Sequence, residues 1–134
     1  MIRAAVFGAT GYTGLELIRL LARHPDVEIA LISSETYAGS DISKLYPHLQ
    51  GFIEKKLSLQ SLSAVTEAGC DIVFFALPHG IPMTLMREVT ETSLKVIDLS
   101  ADFRLQRVDL FEKWYETRHH CPDILPSFVY GLPE

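Results

Sequence analysis

The stretch Gly8-Ala9-Thr10-Gly11-Tyr12-Thr13-Gly14 separates a short apolar run from an amphipathic segment near the start of the chain. In a strand–turn–helix context, Gly8 permits a tight exit from the strand, Gly11 lets a phosphate approach the backbone, and Gly14 lets the helix pack closely on the sheet. The N–H groups and the dipole of the helix N-terminus attract an anion, and the two threonine hydroxyls add donors. The loop therefore predicts binding of a dinucleotide pyrophosphate, and the alternative is a glycine-rich turn without a ligand. A P-loop is excluded because no Gly-Lys-Ser/Thr follows Gly8.

The segments on either side of this loop have the expected patterns. Ile2–Phe7 is apolar enough for a strand buried on both faces. Thr13–Arg23 places its leucine and isoleucine residues along one helical stripe, and Pro25 prevents the helix from continuing. Val27–Ser33 predicts the second strand. Together these segments predict a βαβ unit.

The rest of the chain continues this alternation. Ser34–Gly51 is long for a structureless connection, so it is either functional or contains a short helix. We predict strands at Lys55–Leu59, Asp71–Leu77, Lys95–Leu99 and Phe128–Tyr130, helices at Leu62–Ala68, Pro82–Thr92 and Val108–His119, and a breaker-rich segment at Pro122–Pro126. This order predicts one α/β domain over residues 1–134, a Rossmann-type, doubly wound, mostly parallel sheet with helices on both faces.

Composition excludes several classes of function. The chain has 134 residues, 12 Lys and Arg against 17 Asp and Glu, and a net charge of −5, so nucleic acid is not an expected partner. The longest apolar run, Ile72–Leu77, is far shorter than the ~20 residues of a membrane helix. No secretory signal precedes the first strand, and the two cysteines cannot form a disulfide framework, so we expect a cytoplasmic protein.

The choice between NAD and NADP depends on the end of the second strand. Ser33 and Ser34 suit a 2′-phosphate, whereas the neighbouring Glu35 could instead accept hydrogen bonds from a ribose 2′-hydroxyl. No arginine lies close by in sequence to pair with a phosphate. On balance these residues favour NADP. We further expect the backbone of Ala76-Leu77-Pro78-His79-Gly80, which follows a strand, to line the cofactor.

Other candidate residues have an ordinary structural explanation beside the functional one. His79 could face the reactive end of a cofactor, or its ring could only cap a turn. Asp102 and Arg104 form either a local ion pair, which we favour, or a contact to a substrate anion through the arginine. His119-His120-Cys121 is a poor metal site because three adjacent residues rarely aim at one ion. No motif activates Cys121 as a nucleophile, and Cys70 is expected to be a small core residue.

Several stretches beyond the glycine loop resemble N-acetyl-gamma-glutamyl-phosphate reductases of arginine biosynthesis, members of the semialdehyde dehydrogenase superfamily. The glycine loop alone does not separate this family from aspartate-semialdehyde dehydrogenase, but the blocks together cover the chain in the right order. The blocks are Ser33-Ser34 with Ala38-Gly39, Tyr46-Pro47-His48-Leu49 with Gly51, Phe75-Ala76-Leu77-Pro78-His79-Gly80, Asp98-Leu99-Ser100-Ala101-Asp102-Phe103-Arg104-Leu105, and Tyr130-Gly131-Leu132-Pro133-Glu134.

The resemblance implies an NADPH-dependent reduction of an acyl phosphate, N-acetyl-glutamyl 5-phosphate, to the semialdehyde with release of phosphate. In that family a cysteine forms a thioester, and this cysteine and a catalytic histidine lie downstream of the position that matches Glu134. The resemblance thus covers the N-terminal part of a protein more than twice this length. It implies a cofactor-binding portion that carries no catalytic residue, is inactive alone, and belongs to a homo-oligomer at full length. The alternatives are a reductase of carrier-linked aminoadipyl phosphate in lysine biosynthesis and a non-catalytic dinucleotide sensor.

Overall fold

A four-stranded parallel sheet forms the centre of the protein, in a computed structural model that describes residues 1–132. The strands run in the order β2-β1-β3-β4, and each neighbouring pair is parallel. Their bounds are β1 Ile2–Phe7, β2 Val27–Ser33, β3 Ile72–Phe75 and β4 Lys95–Asp98. Parallel neighbours require crossover connections, and the helices supply these. Pro133 and Glu134, which close the last block of the resemblance, lie outside the described residues.

Within residues 1–132, five α-helices and two short 3-10 helices connect or follow the strands. The α-helices are α1 Tyr12–Leu21, α2 Ile42–Leu45, α3 Leu62–Glu67, α4 Ile81–Thr90 and α5 Val108–Tyr115, and the 3-10 helices are Pro47–Leu49 and Leu125–Ser127. The two longest, α1 and α4, have ten residues each. Within residues 1–132, no helix combines the length and the apolar character needed to cross a membrane.

The core divides into two clusters on opposite faces of the sheet. Alternate side chains of β1 point to opposite faces, so Ala5 and Phe7 join one cluster and Val6 joins the other. The first cluster includes residues of α3, α4 and α5, and its rings of Phe7 and Phe75 stack with centroids 5.6 Å apart. The second cluster includes residues of α1 and α2. The prediction of helices on both faces is therefore confirmed.

Element bounds match the sequence predictions where local signals are strong. β1 and β2 have the predicted bounds, and β3, β4, α1, α3 and α4 differ only at their ends. The predicted helix Val108–His119 is too long. It ends at Tyr115 because Glu116 adopts the left-handed conformation with φ 51°, which closes a helix. The connection after β2 does contain a short helix, α2, as one of its two interpretations predicted.

Two predicted strands are wrong. In Lys55–Leu59 the structure has only isolated bridges, one parallel and one antiparallel, from Ser58 to Ser33 and from Lys56 to Asp41. The apolar alternation there reflects the burial of Leu57 in the core. The Leu57 amide bonds to Ser40 and the Ser58 amide bonds to Ile32, so the backbone forms no continuous ladder with one strand.

Phe128–Tyr130 also fails to form a strand, and β4 remains at the edge of the described sheet. The ring of Phe128 stacks on Phe103 with centroids 4.3 Å apart, so the side chain is used for packing while its backbone pairs with no strand among residues 1–132. A short apolar run cannot distinguish these two outcomes.

Candidate functional site

The glycine loop follows β1 at the carboxyl end of the sheet, where ligands bind in open α/β folds. Gly8 has φ 82°, a conformation that favours glycine, and a Cβ at this position would lie 2.1 Å from the carbonyl oxygen of Ala76. The amide of Ala76 in turn donates to the carbonyl oxygen of Phe7 at 2.9 Å. The structure therefore brings the glycine loop and the segment after β3, two stretches predicted to line one site, into direct contact.

Gly11 differs from the other two glycines of the loop because its surroundings are open. Of the atoms in residues 1–132, a Cβ on Gly11 would have only the Gly8 carbonyl oxygen near it, at 3.6 Å, which is ordinary contact. Gly11 precedes α1, and the first helical hydrogen bond runs from the Leu15 amide to the Gly11 carbonyl oxygen at 2.9 Å. The amides of Tyr12 and Thr13 come before this bond and have no acceptor inside the helix. Tyr12 and Thr13 are exposed, so this turn can accept an anion from solvent.

Thr10 anchors the loop to two other segments. Its hydroxyl shares a hydrogen bond of 2.8 Å with the hydroxyl of Ser34, and its carbonyl oxygen accepts a bond of 3.0 Å from the Tyr46 hydroxyl. From the sequence we predict that the Thr10 hydroxyl donates to the ligand, and we assign no role to Tyr46. Tyr46 lies 36 residues away, so no local pattern could reveal this bond.

The two serines at the end of β2 are buried. Ser33 has no exposed surface, and its hydroxyl has no hydrogen-bond partner among residues 1–132. An unsatisfied buried hydroxyl costs free energy unless a water or ligand supplies a partner. Glu35 is exposed, and its carboxylate accepts a bond of 2.7 Å from the Gln60 amide. The acid that could have favoured NAD is thus already engaged by the backbone.

The turn after β3 presents two exposed residues, Pro78 and His79, and ends at Gly80 with φ 91°. The His79 ring lies 6.4 Å from the Tyr115 ring, measured between centroids. Within residues 1–132 this ring makes no hydrogen bond to a backbone group, so it does not act as the cap that the structural interpretation required. The side chain is available to a ligand at this end of the sheet.

The predicted ion pair between Asp102 and Arg104 is wrong. Asp102 is fully buried, and its carboxylate accepts hydrogen bonds from the backbone amides of Gly80 and Met83. Arg104 is exposed, and its guanidinium carbon lies 5.3 Å from the centre of the Tyr130 ring. The Asp102 carboxylate therefore binds the amides at the start of α4, whereas the Arg104 guanidinium lies over the Tyr130 ring.

A cavity of about 730 Å³ opens beside β4, next to this site. Asp98, at the end of β4, lines it together with Arg104 and Tyr115. Burial raises the pKa of Asp98 to about 6, although the amide and hydroxyl of Ser100 both donate to its carboxylate and oppose the shift. Sequence reasoning did not single out Asp98, because its burial depends on packing between distant segments.

Neither cysteine is an activated nucleophile. Burial raises the pKa of both the Cys70 and the Cys121 thiols, which disfavours the reactive thiolate. The Cys121 thiol donates to the Met83 carbonyl oxygen at 3.2 Å. His119 is also buried, and its two ring nitrogens bond to the Asp102 carbonyl oxygen and the Cys121 amide, so the imidazole serves structure. Among residues 1–132 no three potential metal ligands lie together.

The parallel sheet, its crossover helices and the open glycine loop at its carboxyl edge define a Rossmann-type domain. The chain belongs to the family described as semialdehyde dehydrogenase, NAD binding domain, whose model matches residues 3–134. Among solved structures it is similar to the aspartate semialdehyde dehydrogenase of Candida albicans, determined with NADP, with a TM-score of 0.67 and 23% sequence identity over 81% of this chain and 32% of that one.

Curated relatives share much more of the sequence. The N-acetyl-gamma-glutamyl-phosphate reductase of Saccharophagus degradans is 47% identical over 134 residues, which are all of this chain and 38% of the relative. The reductase of the same name from Psychrobacter cryohalolentis is 50% identical over 135 aligned positions, again 100% of this chain and 38% of the relative. The chain thus spans little more than a third of the length of the curated relatives that it matches.

Proposed function

We propose that this chain is the NADP-binding portion of an N-acetyl-gamma-glutamyl-phosphate reductase. One observation carries the proposal: Gly11 leaves open space beside the orphan amides of α1, in a loop that Gly8 and Gly14 hold against the sheet. Family membership and relatives about half identical over the whole chain support the same function. The chemistry that NADPH supplies when bound is a hydride.

Two segments of this chain would hold the cofactor, the glycine loop after β1 and the turn after β3. The position for the pyrophosphate lies at the free amides of the loop and of the first turn of α1, because the Ala9 amide is already bonded to the Ser33 carbonyl oxygen at 2.9 Å and the Gly11 amide to the Gly8 carbonyl oxygen at 3.2 Å. The segment Ala76–Gly80 contacts this loop through Ala76 and continues toward the position for the nicotinamide. The residues proposed for the pyrophosphate and for the nicotinamide therefore follow β1 and β3, which end at the same edge of the sheet.

The preference for NADP over NAD rests on the end of β2. The Ser33 hydroxyl has no partner within residues 1–132, Ser34 bonds to Thr10 in the glycine loop, and one oxygen of the Glu35 carboxylate accepts a bond from the Gln60 amide. A carboxylate here would repel a 2′-phosphate, and the Gln60 amide occupies only one oxygen of Glu35, so the preference for NADP rests on the two serine hydroxyls. For a 2′-phosphate to reach Ser33, the neighbouring loop must open, because the side chain has no exposed surface.

Reduction of the acyl phosphate requires groups that the described residues do not provide. A thiolate nucleophile needs an accessible thiol with a lowered pKa, whereas burial raises the pKa of both Cys70 and Cys121. We propose that the reaction depends on a catalytic domain of a longer chain, and that the full-length protein is a cytoplasmic homo-oligomer. The substrate, a small acyl phosphate, would meet the cofactor at the turn after β3.

A titration with NADPH and NADH tests the proposal. We expect tighter binding of NADPH, at least a tenfold rise in its dissociation constant for Gly11→Val, and unfolding by urea that changes little, because among residues 1–132 a Cβ on Gly11 meets only the Gly8 carbonyl oxygen, at an ordinary contact distance. Gly131→Val is the matched control: among residues 1–132 nothing lies near a Cβ at that glycine, which is outside the loop, so the affinity of this variant should stay within twofold of the wild type. Equal affinity of the wild-type and Gly11→Val chains would overturn the proposed site, and tighter binding of NADH would overturn the choice of NADP.

A further inference from the structure

Asp102 is a buried carboxylate whose side-chain hydrogen bonds all come from backbone amides. The Gly80 amide donates to both of its oxygens, at 2.8 and 2.9 Å, and the Met83 amide donates to Oδ2 at 3.1 Å. Asp102 has no exposed surface, and no cation lies within ion-pair distance of it in the described part of the chain. Such a charge is stable inside a protein only while its donors remain in place.

These bonds make Asp102 the N-terminal cap of a helix from which it is remote in sequence. Gly80 occupies the cap position of α4 and has no side chain to bond the first amides. Asp102 supplies the missing acceptor from the loop after β4, 22 residues downstream. The negative charge also interacts favourably with the dipole of α4. The carboxylate thus connects the loops that leave β3 and β4.

Asp102 cannot turn away from this position without breaking further bonds. Its amide donates to the Ser100 hydroxyl oxygen at 3.1 Å, and its carbonyl oxygen bonds to Nε2 of His119 at 2.8 Å. Ser100 in turn donates to the carboxylate of Asp98. The Cys121 amide fixes the other ring nitrogen of His119. The backbone and the side chain of Asp102 are therefore both constrained, which makes it a rigid support.

We infer that Asp102 is a positioning residue that fixes the turn Leu77–Gly80, and thereby the site of the nicotinamide half of the cofactor. This inference rests on the proposed function. The turn ends in the left-handed conformation at Gly80, whose amide is held by Asp102, and it exposes Pro78 and His79, which follow Ala76 and Leu77 beside Gly8 of the glycine loop. Asp102 itself is buried, so it would act on the cofactor only through the turn that it holds. Loss of the carboxylate releases the turn and leaves the glycine loop and β2 in place.

Two ligands separate this role from a general contribution to folding. NADPH reaches the turn after β3, whereas adenosine 2′,5′-bisphosphate carries only the half that is proposed to lie at β2 and the glycine loop. For Asp102→Asn we expect at least tenfold weaker binding of NADPH and bisphosphate binding within twofold of the wild type. Asp123→Asn is the matched control, because Asp123 is an exposed acid that pairs with Arg87 of α4, the helix that Asp102 caps. This variant should change neither affinity. Unchanged NADPH binding by Asp102→Asn, or equal losses for both ligands, would overturn the inference.

A second variant and a second measurement keep the test independent of folding and of the cofactor. Gly80→Ala strains the same turn directly, since Gly80 has φ 91°. It should weaken the binding of NADPH and leave the binding of the bisphosphate within twofold. Amide hydrogen exchange without ligand should be at least tenfold faster at Gly80 and Met83 in Asp102→Asn, with β1 amides unchanged. Unaltered exchange at those two amides contradicts the positioning role. Failure of the wild-type chain to bind either ligand, with exchange as expected, contradicts the proposed function alone.

Discussion

Gly14 approaches the carbonyl oxygen of Gly8 so closely that a Cβ on Gly14 would lie 2.1 Å from it. The first turn of α1 is therefore pressed against the backbone of the loop that precedes it. A backbone oxygen cannot move aside as the end of a flexible side chain can. Gly14 is thus required by packing, whereas Gly11, three residues earlier, has open surroundings.

The contrast between these two glycines gives a stability prediction. Gly14→Ala should lower the free energy of unfolding by at least about 2 kcal/mol, because the new methyl group forces the loop and helix apart. Gly11→Ala should cost less than about 1 kcal/mol, mostly through the weaker helix cap. Urea denaturation of both variants measures the difference. Equal losses in the two variants would contradict this account of the loop.

The partly buried carboxyl of Asp98 gives a pH prediction. Burial raises its pKa from 3.8 to about 6, so the folded protein holds a proton between these values that the unfolded chain releases. Stability from this group is therefore present at acid pH, declines as pH rises toward 6, and changes no further above it. Asp98→Asn carries no such proton. We expect its stability relative to the wild type to improve by about 2 kcal/mol between pH 4 and pH 7.

Urea titrations at several pH values measure this difference, and Asp109→Asn provides the control. Arg107 lowers the pKa of the Asp109 carboxyl by a side-chain hydrogen bond, so removing that acid should not favour the variant as pH rises. A relative stability of Asp98→Asn that stays flat from pH 4 to pH 7 would show that the Asp98 carboxyl is not perturbed.

The two thiols should be poor nucleophiles in the folded chain. Burial raises both pKa values, and Cys121 is almost fully buried while Cys70 is partly exposed. With a disulfide reagent at pH 7 we expect Cys70 to react first, and both to react more slowly than free cysteine. The Cys70→Ser chain should react only after unfolding in urea. Rapid modification of Cys121 in the folded Cys70→Ser chain would contradict this prediction and show that the Cys121 thiol is reactive.

Local signals predicted the strands and the loop on which the site depends. The apolar runs of β1 and β2 and the three glycines between β1 and α1 encode their structure within a few residues, and the described bounds agree. The failures come from segments whose backbone is decided by distant partners. Leu57 belongs to an alternating run, yet its burial in the core takes place without a strand ladder.

The supports of the site could not be predicted from sequence. Asp102 and Arg104, two residues apart, suggested an ion pair, whereas the carboxylate is used 22 residues away at Gly80. Tyr46 reaches Thr10 across 36 residues. Both bonds depend on the order of the strands, which brings separate loops to one edge of the sheet. A pattern in a short window contains no information about such contacts.

The central place of β1 in the sheet has a consequence for biosynthesis. Residues 2–7 leave the ribosome before β2 and can pair with it early, but the other side of β1 pairs with β3, which is made some seventy residues later. Until then the nascent βαβ unit carries an open hydrogen-bonding edge and the uncovered ring of Phe7. Because these pairings are distant in sequence, maturation of the domain should be slow and should benefit from chaperone protection during translation.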